Sequence, residues 1–198
     1  MTIAQDILTV TDSLFTWRAY EPAVKCDVSS CALDTGEGLL FIDPIELAEP
    51  ALVRLLNGRN AAAIVLTNGN HARAAGVFRA RLGAPVFAAG NADGLEIIPD
   101  LTLADGLIFA GGMRVVALPG AASGEIALIG NEVACIGDAL INLPPEGLRV
   151  LPARYCSDPV ELRSSLRKLL SYEFRVMTFA HGAPLVGAGH RRLAQLLS

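Results

Sequence analysis

Apolar residues in the first third of the chain fall in short blocks. Those at 7–10, 14–19, 28–33 and 39–43 are alternating or wholly apolar and rich in strand formers. Between the last two, Asp34-Thr35-Gly36-Glu37-Gly38 supplies a turn with two glycines, which predicts a hairpin. Over 46–56 the period changes, and Leu47, Leu52, Leu55 and Leu56 fall on one side of a helix. The run 61–67 (AAAIVLT) is apolar throughout, as in a strand covered on both faces. A polar turn, Asn68-Gly69-Asn70, leads into a predicted helix over 71–82 and a second buried strand over 85–88. This βαβ unit carries polar residues at the carboxyl end of its first strand, where layered α/β proteins gather their sites.

From Leu101 the strand pattern returns, at 107–109, 114–118, 125–129 and 133–136, with Gly-rich turns between. Asp158 and Pro159 open a helix running to 170, Asp158 as its cap and Pro159 at its first position. A last strand at 176–180 and a last helix at 189–197 follow. Two strand-rich halves, each followed by helices, predict an α/β fold of two sheets face to face with helices outside. No internal repeat, low-complexity stretch or Pro/Gly/Ser linker divides the chain, so residues 1–198 read as one domain.

Composition narrows the function classes. The charge of −4 argues against a general nucleic-acid binder, which shows a basic face. With 52% hydrophobic and 18% charged residues the chain is not disordered. No uncharged apolar run reaches the ~18 residues of a membrane span. The first residues lack a basic segment followed by an apolar one, so no signal peptide is read and the expectation is a cytoplasmic protein with no membrane partner. The apolar content leaves a homodimer open. Cys26, Cys31, Cys135 and Cys156 show no metal-binding spacing and read as buried small hydrophobes. A Cys31–His181 nucleophile pair needs the fold to bring the two together. Ser123 lies in a turn but has no assignable base, Gly187-Ala188-Gly189 lacks the full dinucleotide fingerprint, and His190 is expected at an exposed helix start.

Four polar turns follow apolar strands: Thr67 to Arg73, Leu118 to Gly124, Ile136 to Asp138, and Phe179 to Gly182. If the strands are neighbours, the turns converge on one edge of the sandwich. The peptides LLFIDP, IVLTNGNHARAAG, LPGAASGE, IGDAL and FAHGAP, in that order, resemble the metallo-β-lactamase fold from about Ile7 to the end. The resemblance implies a four-layer αββα sandwich. It also implies a cleft where Thr-His-x-His-x-Asp-His, a Gly-His turn, a Gly-Asp turn and a late His-Gly turn hold one or two metal ions that activate water.

Laid on without a gap, the family's metal histidines fall on Asn68, Asn70, Arg73 and Ala121, and its first aspartate on Ala72. Asp138 and His181 remain, two of seven ligand positions. Asn is a poor transition-metal ligand, Ala supplies none, and Arg cannot coordinate. Without metal, Asp138 would be a costly buried anion. The expectation is therefore that Arg73 pairs with Asp138 in place of the metals, while Asn68 and Asn70 hydrogen-bond the rest of the pocket. Asp43, at the end of LLFIDP, is expected behind this loop, accepting hydrogen bonds from the Thr67–His71 backbone. His71 could complete a His71, Asp138, His181 set. A helix starting at His71 argues against that, since successive side chains then project about 100° apart.

The resemblance and the replacements together imply a metallo-β-lactamase-like protein with a dismantled metal site and no resident cofactor. Such a protein would bind a small or anionic ligand rather than hydrolyse it. The alternative is a hydrolase of an ester, thioester or similar bond that holds one zinc or iron ion on His71, Asp138 and His181.

Overall fold

The computed structural model describes residues 3–198. Strands β1 (Leu8–Thr9), β2 (Leu14–Glu21), β3 (Cys26–Asp34) and β4 (Leu39–Ile42) lead to helix α1 (Glu49–Leu56). Strand β5 (Ala61–Leu66), helix α2 (Ala75–Leu82), β6 (Val86–Ala89) and β7 (Leu101–Leu103) complete a seven-stranded sheet in sequence order. Its first four strands run antiparallel and its last four parallel.

A five-stranded sheet follows, from β8 (Ile108–Phe109), β9 (Met113–Ala117), β10 (Ile126–Gly130) and β11 (Val133–Ile136). A hairpin of β12 (Leu140–Leu143) and β13 (Gly147–Val150) precedes helix α3 (Pro159–Leu166), a 3₁₀ segment, β14 (Val176–Phe179) and helix α4 (Gly189–Leu197). Strand β14 adds in parallel to β11 at the edge of this sheet.

The alternation within single strands accounts for the layers. In β4, Leu39 and Phe41 face α1 and α2, while Leu40 and Ile42 face the second sheet; in β5, Ile64 and Leu66 take the first side and Ala63 and Val65 the second. Both faces are covered, so the strands read as unbroken apolar runs. A third cluster packs Ala134, Ile136, Met177 and Phe179 against Leu162 and Leu166 of α3 and Leu193 and Leu197 of α4. The order is helix, sheet, sheet, helix: a four-layer α/β sandwich. Trp17, Phe41 and Phe78 fill the first helix–sheet layer, with ring centroids 5.2–6.3 Å apart, and the Trp17 indole N–H donates to Ile45 O at 3.0 Å.

Some boundaries differ from the sequence expectation. The second helix begins at Ala75, and residues 71–74 form an irregular turn in which Arg73 has φ 38°. Helix α1 begins three residues later than its apolar spacing suggests, at Glu49 with Pro50 in its first turn. The short strand β7 and the β12–β13 hairpin carry too little periodicity to stand out in the sequence. His190 is half-buried against the Phe174 ring, not exposed. No described helix is long and apolar enough to cross a membrane.

Candidate functional site

Strands β4, β5, β11 and β14 end at the same edge of the sandwich, and their exits bring together Asp43, Thr67 to His71, Asp138 and His181. Two backbone hydrogen bonds clamp the sheets there: Ile126 N–H donates to Thr67 O (2.8 Å), and Ser29 N–H to Ala180 O (2.8 Å).

Asp43 leaves β4 with φ 48° and is 2% exposed. Its carboxylate accepts from the Thr67 backbone N–H (2.8 Å) and hydroxyl (2.5 Å), and it faces His71 Nδ1 at 2.9 Å. That contact fixes the His71 ring and sends Nε2 towards Asp138 Oδ1, 3.4 Å away. From β14, His181 Nε2 reaches the same oxygen at 3.3 Å, while its Nδ1 faces Asp27 O (3.4 Å) and the Cys26 thiol (3.5 Å). Asp138 Oδ1 is buried without a properly oriented hydrogen-bond donor. The ligand atoms of His71, Asp138 and His181 all lie within 4.8 Å of one another.

The turn at 71–74 explains why His71 reaches Asp138. The helix starts four residues after His71, at Ala75, so helical side-chain spacing does not constrain where His71 points. Arg73 also departs from expectation. Its guanidinium donates to two backbone carbonyls, Ser29 O (2.8 Å) and Asp43 O (3.1 Å), and the side chains facing Asp138 Oδ1 are imidazoles. The positive φ at Arg73 turns it away from Asp138, and it braces Ser29 of β3 against the end of β4.

Asn68 is fully buried; its Nδ2 donates to Glu125 Oε2 (2.8 Å) and Asp138 Oδ2 (3.2 Å), and its Oδ1 accepts from the Asn70 backbone N–H. Asn70 itself is exposed, unlike the pocket-lining role expected for it. Ser123 serves the rim, its hydroxyl donating to Asn91 O at 2.6 Å. Cys31 and Cys135 are buried between the sheets, 3.9 Å apart, whereas Cys26 and Cys156 are half-buried. The cysteine beside His181 is therefore Cys26, while Cys31 contacts Cys135 and Thr178.

Charge in the cluster is strongly coupled. Burial and Arg73 oppose a proton on His71, but the carboxylates of Asp43 and Asp138 outweigh them and raise it to about 9. Burial works against the Asp138 anion too, yet the two imidazoles hold it well below the ordinary carboxylate range. Asp43 is likewise held down, against burial, by His71, Arg73 and Thr67. Glu125, absent from the sequence-derived candidates, is 3% exposed, and burial and the Asp138 charge push it up to about 8.

Residues 8–198 match the family model described as the metallo-beta-lactamase superfamily. The chain belongs to the metallo-β-lactamase superfamily. No curated protein sequence matches. Among solved structures, a metallo-beta-lactamase from Pontibacter korlensis superposes with TM-score 0.76 at 16% identity, over 97% of this chain and 98% of that one. The DIM-1 metallo-beta-lactamase gives TM-score 0.77 at 14% identity, over 99% and 97%. These likenesses establish the metallo-β-lactamase fold; at such identities the chemistry has to come from this chain's own cleft.

Proposed function

We propose that this metallo-β-lactamase-fold protein is a hydrolase of an ester, thioester or similar bond, working with one divalent transition-metal ion held by His71, Asp138 and His181. One observation carries the reading. Asp138 Oδ1 is buried without a hydrogen-bond donor, 3.4 Å from His71 Nε2 and 3.3 Å from His181 Nε2. Those separations exceed the ~2.7–2.9 Å of a charge-assisted hydrogen bond. They equal the ~3.3–3.4 Å edge between donor atoms on a tetrahedral ion with bonds of about 2.0–2.1 Å. Two imidazoles and a carboxylate suit zinc or iron and leave a position open.

When bound, such an ion supplies Lewis acidity and a lowered pKa for water. The chain's own residues do the rest. Asp43 holds His71 in the tautomer with its proton on Nδ1, and Asp27 O does the same for His181, so both Nε2 lone pairs face the cleft. Asn68 occupies Oδ2 of Asp138 and leaves Oδ1 inward. Arg73 adds a buried positive charge that favours an anionic substrate.

A second reading is favoured by the buried charges themselves. A protonated His71 together with Arg73 balances Asp43 and Asp138 without any metal, which suits a metal-free cleft that binds a small anionic ligand. Elemental analysis of protein purified without added metal separates the two. About one equivalent of zinc or iron, lost in His181→Ala together with hydrolysis of ester or thioester substrates, supports the first. Absence of uptake even from added zinc overturns it in favour of the second.

A further inference from the structure

Three groups face the centre of the cleft, and each is held from behind. Asp43 holds His71 and Asp27 O holds His181. The support for Asp138 comes from Glu125. Its Oε1 accepts from the Ala139 backbone N–H at 2.9 Å, immediately after Asp138, and its Oε2 accepts from Asn68 Nδ2 at 2.8 Å. The same Asn68 nitrogen donates to Asp138 Oδ2 at 3.2 Å. Close packing makes the clamp tight: a Cβ on Gly137 would collide with the Thr67 hydroxyl and the Glu125 carboxyl. The hydrogen bond from Ile126 N–H to Thr67 O fixes the register that sets Glu125 beside Asn68.

We infer that Glu125 is a positioning residue which, through Asn68 and the Ala139 amide, selects Oδ1 of Asp138 as the single oxygen offered to a metal ion. The inference builds on the one-ion reading of the cleft. Both Glu125 oxygens accept a hydrogen bond, and the hydroxyl oxygen of a protonated carboxyl still accepts where an amide nitrogen cannot, so the group cannot be replaced by its amide. A glutamine that keeps the Ala139 contact through its oxygen turns an NH₂ group towards the Asn68 NH₂ group. Two donors then face each other, Asn68 withdraws, and Asp138 Oδ2 is released.

The test is a titration of the metal-free full-length protein with cobalt(II), following affinity and the visible absorption spectrum, in the wild type, Glu125→Gln and Asn68→Ala. The wild type is expected to take up one equivalent with the intense absorption of a four-coordinate ion. In both variants affinity is expected to fall about 10–100-fold, the scale on which second-layer partners tune metal sites. The spectrum should shift to that of a higher-coordinate ion as both Asp138 oxygens become free. Asn68→Ala leaves the Glu125–Ala139 contact in place, so it decides the matter if Glu125→Gln does not fold. A wild type that binds and folded variants that match it in affinity and spectrum overturn the role of Glu125 alone. A wild type that takes up no cobalt overturns the metal reading and this inference with it.

Discussion

His71 Nδ1 lies 2.9 Å from Asp43 Oδ2 although the two residues are 28 apart in sequence, and both are almost completely buried. This pair converts a histidine absent from the family's ligand pattern into one aimed at the cleft. Asp43→Asn keeps the shape but replaces the accepting oxygen or sets a competing donor against Nδ1. Zinc affinity is expected to fall about 10–100-fold. Because the variant also leaves Thr67 N–H and hydroxyl short of a charged acceptor, stability should drop by ~2–3 kcal/mol. Calorimetric zinc titration and urea unfolding check the two effects separately.

On the one-ion reading, metal and proton compete for His71. In the metal-free protein its proton is held up to about 9, so at neutral pH an ion binds by displacing it. Apparent zinc affinity should therefore rise about tenfold per pH unit between roughly pH 6 and 8 and flatten above about 9. Calorimetry at pH 7 in buffers of different ionisation enthalpy should record about one proton released per ion. A pH-independent affinity with no proton release would show that His71 is not a ligand.

Arg73 braces the strand ends rather than neutralising Asp138 directly. Arg73→Met removes a donor from Ser29 O and from Asp43 O, the second of which keeps the Ser30 hydroxyl, and takes away a buried positive charge beside Asp43 and Asp138. The expected cost is about 3–5 kcal/mol in urea unfolding. Arg73→Lys keeps the charge but not the planar fork, and should recover part of that loss. If both variants unfold at the wild-type midpoint, the bracing role is wrong.

The layers were legible because β4 and β5 are apolar on both faces, and because Asp138 and His181 stand in turns after apolar strands. What misled was local. The sequence from His71 onward looks helical because Ala72, Ala74 and Ala75 are good helix formers, yet Arg73 adopts φ 38° and donates to two carbonyls. Tertiary hydrogen bonds override propensity there. In the sequence Glu125 reads only as the polar boundary of a strand. An acidic residue opening the run IALI, which is buried on both faces, was the available signal for a buried carboxyl. Cys26 could not be paired with His181 from spacing, since the contact spans 155 residues.

Metal-free protein should lose stability as pH rises, and the sign follows from two groups. His71 binds its proton more tightly folded than unfolded, about 9 against 6.5. Glu125 does the same, at about 8 against 4.5. Wherever the folded state holds more protons than the unfolded one, unfolding free energy falls with pH. The Glu125 contribution is complete below about pH 4.5 and lost as pH climbs through about 8; that of His71 is complete below about 6.5 and lost through about 9. Asp43 and Asp138 act oppositely, losing their contribution only in acid, as pH falls through their lowered folded values. The melting temperature of metal-free protein should therefore peak in mildly acidic solution and drop by more than roughly 5 °C by pH 9. Glu125→Gln should flatten the part of that decline between pH 5 and 8 (roughly the window in which only the folded state keeps the Glu125 proton). Saturating zinc should flatten the part owed to His71, since a metal-bound imidazole has no proton left to lose. A melting temperature that climbs steadily from pH 6 to pH 9 would mean that neither buried group is protonated in the folded protein.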